Sequence, residues 1–354
     1  MSGKPSFHDG KLVRKILHGE YVTDLDEFSY VVRLDIDSEL AENVVTKRRV
    51  HRLTDRRCTG VIVSPKVILT AAHCLKQIAQ SSQSPGSFYK VETNKVKIFI
   101  REESVEYTPF NISLAQPGGE ASALVHPSYQ ACLDSFSINH PARFKECLRS
   151  AVDIGLIKFA FFSLHNSAVK KHMSKHQLCM TGTENIANCP IDYVSWGYSE
   201  EYAIVGYGRV KLPTAYAPKV SFDTNKATTY IGVMKKLTIR SAPCRRNLHA
   251  DIFNGVFNIP CAGGSPFEGD YGAPLLKFSR ATNQWYGVGV MIKSTIDRCD
   301  NICRREPIPR PIVGPVHMQG CMIDCWRCKQ DWCETTFVDV QAISTWLKQE
   351  GRRN

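Results

Sequence analysis

No stretch of this chain is long and apolar enough to span a bilayer as a helix, so a transmembrane helix is excluded as its organising element. Sustained helical periodicity is also scarce. Short apolar runs broken by 23 glycines and 18 prolines predict an all-β body with many loops. Acidic residues are in deficit: 34 Asp and Glu stand against 45 Lys and Arg, a formal charge of +11. No nucleic-acid motif accompanies that charge, which turns the expectation away from DNA and RNA. The first 15 residues, Met1 to Lys15, lack the apolar core of a signal peptide.

Cysteine, by contrast, is plentiful. Fourteen cysteines point to an oxidising compartment, because reduced cytosol does not maintain so many staples. Secretion is therefore expected, and the cysteines outweigh the missing leader. The sequon Asn111-Ile112-Ser113, in what reads as a polar loop, fits a secreted glycoprotein. A hydrophobic content of 43% supplies a core, and 354 residues suit a large β fold with insertions. The basic excess is clustered at Lys47-Arg48-Arg49 with Arg52, Arg56 and Arg57, at Lys170-Lys171-His172 with Lys175, at Arg245-Arg246 and at Arg304-Arg305. Such patches attract polyanions: sulfated glycans, microbial surfaces or acidic proteins. The alternative is a solvated basic face that keeps the chain soluble.

Three stretches carry chemistry: Thr70-Ala71-Ala72-His73-Cys74, Asp153-Ile154-Gly155-Leu156-Ile157-Lys158 and Gly269-Asp270-Tyr271-Gly272-Ala273-Pro274-Leu275. A carboxylate that orients an imidazole, an imidazole that takes a proton from a hydroxyl, and backbone N–H groups beside that hydroxyl make an acyl-transfer site. With the apolar run Gly60 to Leu69 before His73, with His126-Pro127-Ser128-Tyr129, with Gly206-Tyr207-Gly208 and with Phe337-Val338-Asp339-Val340, these stretches resemble the trypsin and chymotrypsin family in order and rough spacing. The resemblance covers nearly everything from residue 16 onward. It implies a two-barrel chymotrypsin-like fold with a C-terminal helix over Ala342 to Lys348, preceded by a short propeptide-like segment, residues 1–15. Residues 16–354 would form the peptidase-like domain, with cysteine-bearing insertions at about 130–150 and 298–334.

The resemblance further implies disulfides Cys58–Cys74 and Cys244–Cys261, and an oxyanion loop at Gly269. It also implies an activation junction at Lys15-Ile16 whose new amino terminus would pair with Asp270. No cofactor and no metal is implied. Six cysteines from Cys299 to Cys333 could hold zinc through a half site such as Cys325-Trp326-Arg327-Cys328, but disulfides suit a secreted chain better.

Where the family has its serine, this chain has Tyr271. A serine hydroxyl sits one carbon from the backbone, whereas a phenol lies at the far end of a rigid ring, beyond a carbonyl held in the oxyanion pocket. Other departures cluster on substrate handling. Phe267 and Lys277 replace usual cysteines, Tyr202 and Ala203 occupy the place of the second one's partner, and Ile292-Lys293-Ser294 stands where the peptide-binding strand is expected. Ser265, near the base of the specificity pocket, sets no preference. The expectation is a secreted, inactive serine protease homologue that binds or regulates, as do family members in extracellular proteolytic or immune cascades. His73 and Asp153 would then be vestigial. Two alternatives are a serine-type endopeptidase with residual activity and a durable structural component of a secretion.

Overall fold

The structure, a computed structural model, describes residues 20–22, 27–54, 56–80, 86–100, 108–114, 120–160, 167–182, 201–208, 235–240, 256–261, 269–297 and 332–352. Runs rich in Val, Ile and Leu become strands, because branched side chains suit a pleated surface buried on one or both faces. The strands are β1 (Glu20–Tyr21), β2 (Val31–Asn43), β3 (Arg49–Leu53), β4 (Arg57–Ser64), β5 (Val67–Ala71), β6 (Lys76–Gln80), β7 (Phe88–Ile100), β8 (Thr108–Ser113), β9 (Ala121–Val125) and β10 (Ile154–Phe159). After them come β11 (Cys179–Met180), β12 (Glu201–Gly206), β13 (Lys235–Arg240), β14 (Val256–Cys261), β15 (Pro274–Ser279), β16 (Gln284–Asp297) and β17 (Trp332–Asp339). The helices are α1 (Pro127–Asp134), α2 (Pro141–Ser150), α3 (Ser167–Lys175) and α4 (Val340–Arg352).

The strands form two sheets, β2 to β10 in the first and β1 with β11 to β17 in the second, the two-sheet chymotrypsin-like arrangement that the resemblance implies. The first runs β6-β7-β2-β4-β5-β10-β9, with β3 added to β2 and β8 to β7. The second runs β1-β13-β12-β15-β16-β17-β14, with β11 on β16. Each has its own interior: Leu34, Ile62, Ile98 and Ile157 are fully buried in the first, and Ile204, Leu275, Tyr286 and Phe337 in the second. A third cluster fuses them, joining Val31, Val61 and Leu69 to Val205, Leu276 and Val290, with Ile343 and Leu347 of α4 closing it. Asp339 starts α4 by accepting the N–H of Gln341 at 2.9 Å, which satisfies one of the first-turn donors.

The insertion at about 130–150 folds as the helix pair α1 and α2, and its two cysteines close it as the disulfide Cys132–Cys147. Both helices carry proline in the first turn, where a missing N–H costs nothing. Tyr129, Cys132 and Leu133 pack against Ala72, so the pair rests directly on the residue before His73. Of the second insertion, residues 298–331 lie outside the described residues. Its ends are fixed, since Asp297 faces Trp332 where β16 and β17 pair.

Candidate functional site

Strand register brings the imidazole and its carboxylate together. β10 runs antiparallel to β5 with Ile154 opposite Ala71, so Asp153 and His73 emerge side by side at the strand ends. A 3-10 turn over Ala72–Cys74 lifts the imidazole, anchored by Ala72 N–H donating to the Asp153 carbonyl at 3.2 Å. Close approach demands Gly155, because a Cβ there would meet Leu75 at 2.7 Å and the Ala72 Cα at 3.3 Å. The Asp153 carboxylate then accepts twice: from the His73 backbone N–H at 2.9 Å, and at 2.7 Å it meets His73 Nδ1, fixing the ring's orientation.

Support comes from outside the three stretches that carry the chemistry. Ser128 Oγ accepts the Val152 N–H at 3.0 Å, holding the approach to Asp153, and the Tyr129 hydroxyl donates to the Lys76 carbonyl at 3.0 Å. Burial first, and the Asp153 charge second, push the Tyr129 phenol well above its ordinary value, so it stays a donor. Behind the histidine turn lies Arg56, donating to the carbonyls of His73 at 3.2 Å and Cys74 at 3.4 Å while its guanidinium meets Glu39 at 2.6 Å. Burial lowers the Arg56 pKa against the pull of that carboxylate. Arg57 likewise turns to Asp35 at 2.8 Å. Arg56 and Arg57 are thus engaged by acidic partners and drop out of the basic surface patch in which the sequence grouped them. Their partners are seventeen and twenty-two residues away in sequence, too far for a local motif to reveal them.

The Gly269–Pro274 loop is seated between the two sheets by Thr59. Its hydroxyl donates to the Gly269 carbonyl at 2.9 Å and accepts the Tyr207 N–H at 3.2 Å, and its own N–H donates to the Tyr271 carbonyl at 2.8 Å. Gly269 and Gly272 take φ of 97° and 90°, a region that favours glycine. A Cβ on Gly272 would also strike the Thr59 carbonyl and Thr70 Oγ1. Asp270 is fully buried and accepts the Gly208 N–H at 2.6 Å. Gly206 and Gly208 leave the room that its carboxylate fills.

Tyr271 therefore stands beside His73. The two rings meet edge to face, centroids 4.8 Å apart at 77°. The half-buried tyrosine packs on the interiors of both sheets at once. A ring packed between the sheets thus stands against the imidazole, where a nucleophile in this arrangement would be small.

Other expected residues are distributed as follows. Cys58 and Cys74 are joined by a disulfide. Cys179, which the sequence reading did not single out, is disulfide-bonded as well. The β14–β17 register sets Cys261 level with Cys333. Asn111 is exposed, but on β8 rather than in a loop. Tyr202 is buried in the second interior one step beyond the Ala203–Leu276 pair, which brings it level with Lys277. Lys15, Ile16, Cys244, Ser265 and Phe267 lie outside the described residues, as do Arg245-Arg246 and Arg304-Arg305. Among the described residues no group of His, Cys, Asp and Glu is arranged to hold a metal ion.

A Trypsin family model matches residues 39–114, the part holding His73. The chain is 22% identical over 245 residues to Serine protease 28 of Mus musculus, covering 69% of this chain and 71% of that protein. It is also 22% identical over 284 residues to CLIP domain-containing serine protease B9 of Anopheles gambiae, covering 78% of this chain and 56% of that protein. The two-sheet fold is consistent with the chymotrypsin-like arrangement, and these matches liken the chain to trypsin-like serine proteases. The family match stops before Asp153 and before the loop that carries Tyr271.

Proposed function

We propose that this chain is a non-catalytic serine protease homologue, secreted, that works by binding and regulation. The observation that carries the reading is Tyr271 wedged against His73. Acyl transfer needs an oxygen within hydrogen-bond reach of the imidazole and of the attacked carbonyl together. A phenol oxygen held at the far side of a ring packed between two sheets does not meet both demands. The His73–Asp153 pair, still joined at 2.7 Å, is then a satisfied polar pair retained for structure, since removing one partner leaves the other uncompensated. That pair is also what favours the second reading, residual endopeptidase activity.

On this proposal the domain spans residues 16–354 behind a short propeptide-like segment. Lys15-Ile16 remains a candidate switch: cleavage would free an α-ammonium to pair with the buried Asp270 carboxylate and order nearby loops. The Cys244–Cys261 disulfide and an Asn111 glycan belong to the same proposal. A partner in an extracellular cascade is the expected target. The test is a peptide-library hydrolysis assay on purified protein beside its His73→Ala variant. Equal background rates are expected, and hydrolysis abolished by His73→Ala would favour the enzyme.

A further inference from the structure

The β2–β3 hairpin extends the first sheet past the barrel and ends in a turn ordered by Asn43, whose side chain accepts the N–H groups of Val45 at 3.0 Å and Thr46 at 2.9 Å. Every residue of β3 is exposed. Three of the four large apolar side chains exposed among the described residues belong to this arm: Val45 at 68%, Val50 at 37% and Leu53 at 87%. Interspersed with them are Lys47, Arg48 and Arg52. Arg49 is held by Glu42 at 2.6 Å. Apolar surface that folding leaves in water, rimmed by one sign of charge, marks a contact surface.

The backbone of the arm says what shape of partner it accepts. β3 pairs with β2 on one side, and among the described residues no strand pairs with its other side. Asn43 N–H donates to Arg48 O, and Thr54 N–H to Asp37 O, which fixes the alternation of the ladder. The odd-numbered residues of β2 are therefore bonded across to Arg48, Val50, Arg52 and Thr54, while the N–H and C=O groups of Arg49, His51 and Leu53 face outward. An open edge of this kind is a template for one more strand.

We propose that the outer edge of β3 binds an extended acidic peptide segment of a partner protein by strand addition. The peptide's backbone pairs with Arg49, His51 and Leu53, its carboxylates meet Lys47, Arg48 and Arg52, and its apolar side chains cover Val50 and Leu53. This deepens the binding role proposed above and supplies the chemistry of the partner. The alternation of exposed apolar and basic positions along an open edge selects a peptide over a sulfated glycan, which has no backbone amides to pair.

The experiment measures fluorescence anisotropy of a labelled peptide repeating Asp-Asp-Val-Val, which places both residue types on each face of an added strand, with the full chain, at low and at moderate salt. Three arms accompany it: the same peptide N-methylated at alternate amides, the His51→Pro variant, and competition by a heparin oligosaccharide. Proline removes the outward N–H of position 51 and leaves the ladder to β2 intact, so the variant should unfold at the wild-type temperature. Saturable binding is expected, weakened about tenfold by His51→Pro and by N-methylation, and weakened by salt. Undiminished binding to both His51→Pro and the methylated peptide would overturn strand addition, as would heparin binding in the absence of peptide binding. The methylated peptide needs no protein variant, so a misfolded His51→Pro protein leaves the proposal testable. Since the readout involves neither His73 nor Tyr271, its failure is separate from failure of the non-catalytic reading.

Discussion

An imidazole held by a carboxylate on one side ordinarily meets a small hydroxyl on the other, and at position 271 it meets a ring. That ring spans two interiors, so it acts as packing as well as obstruction. Truncating it is expected to destabilise the fold: Tyr271→Ala should cost about 2 kcal/mol in denaturant unfolding, whereas a side chain with no packing role would cost little. Its neighbour is more constrained still. Gly272→Ala adds a Cβ at φ 90° against the Thr59 carbonyl, and a loss of about 3 kcal/mol or failure to fold is expected from thermal unfolding. Thr59 itself had no signal in the sequence, because a threonine between Cys58 and Gly60 looks like any strand residue. Two of its hydrogen bonds reach residues more than two hundred positions away, Gly269 and Tyr271.

Elements around the site hold a pH-sensitive joint. His126 caps α1 by accepting the Ser128 N–H through Nδ1 at 3.3 Å, and its ring lies edge-on to Trp346 of α4, centroids 5.1 Å apart. Burial holds the His126 pKa below its ordinary value, so the folded state favours the neutral ring. The unfolded chain binds the proton more readily, so stability rises with pH through the window between the lowered folded value and the ordinary histidine value of about 6.5. It is lost as pH falls through that window. Thermal midpoints across mildly acidic pH should decline for the wild type and stay flatter for His126→Asn, which keeps a capping acceptor without titrating. A wild-type profile no steeper than the variant's would contradict this.

The same elements show what a sequence can reveal. The strands about His73 and Asp153 were legible because their apolar runs and the Ala-Ala-His-Cys and Asp-Ile-Gly-Leu strings are local. Helices α1 and α2 are harder to read, since they span only 8 and 10 residues, although Pro127 and Pro141 mark both starts. Arg56 and Arg57 read as surface charge, because Glu39 and Asp35 come near only when β2 and β4 pair.

Across the whole molecule, two sheets with separate interiors share one seam, and the loop bearing Tyr271 lies in it. Disulfides at Cys58–Cys74 and Cys132–Cys147 brace the histidine turn and the helical insertion beside it. Oxidised staples of this kind persist outside the reducing cytosol, so the native protein is expected in the extracellular fluid. There the exposed Asn111 sequon should carry a glycan. Enzymatic deglycosylation of secreted material should lower its mass and convert Asn111 to Asp, and an unmodified Asn111 peptide would remove the glycan from the proposal. On the proposed reading, the basic hairpin gives the scaffold a part to play through contact rather than cleavage.

The most direct trial of that division is to expose the purified wild-type chain to a fluorophosphonate probe and sequence any labelled peptide by mass spectrometry. With Tyr271 beside His73, the Gly269–Leu275 peptide should emerge unmodified. A phosphonate adduct on Tyr271 would contradict the account.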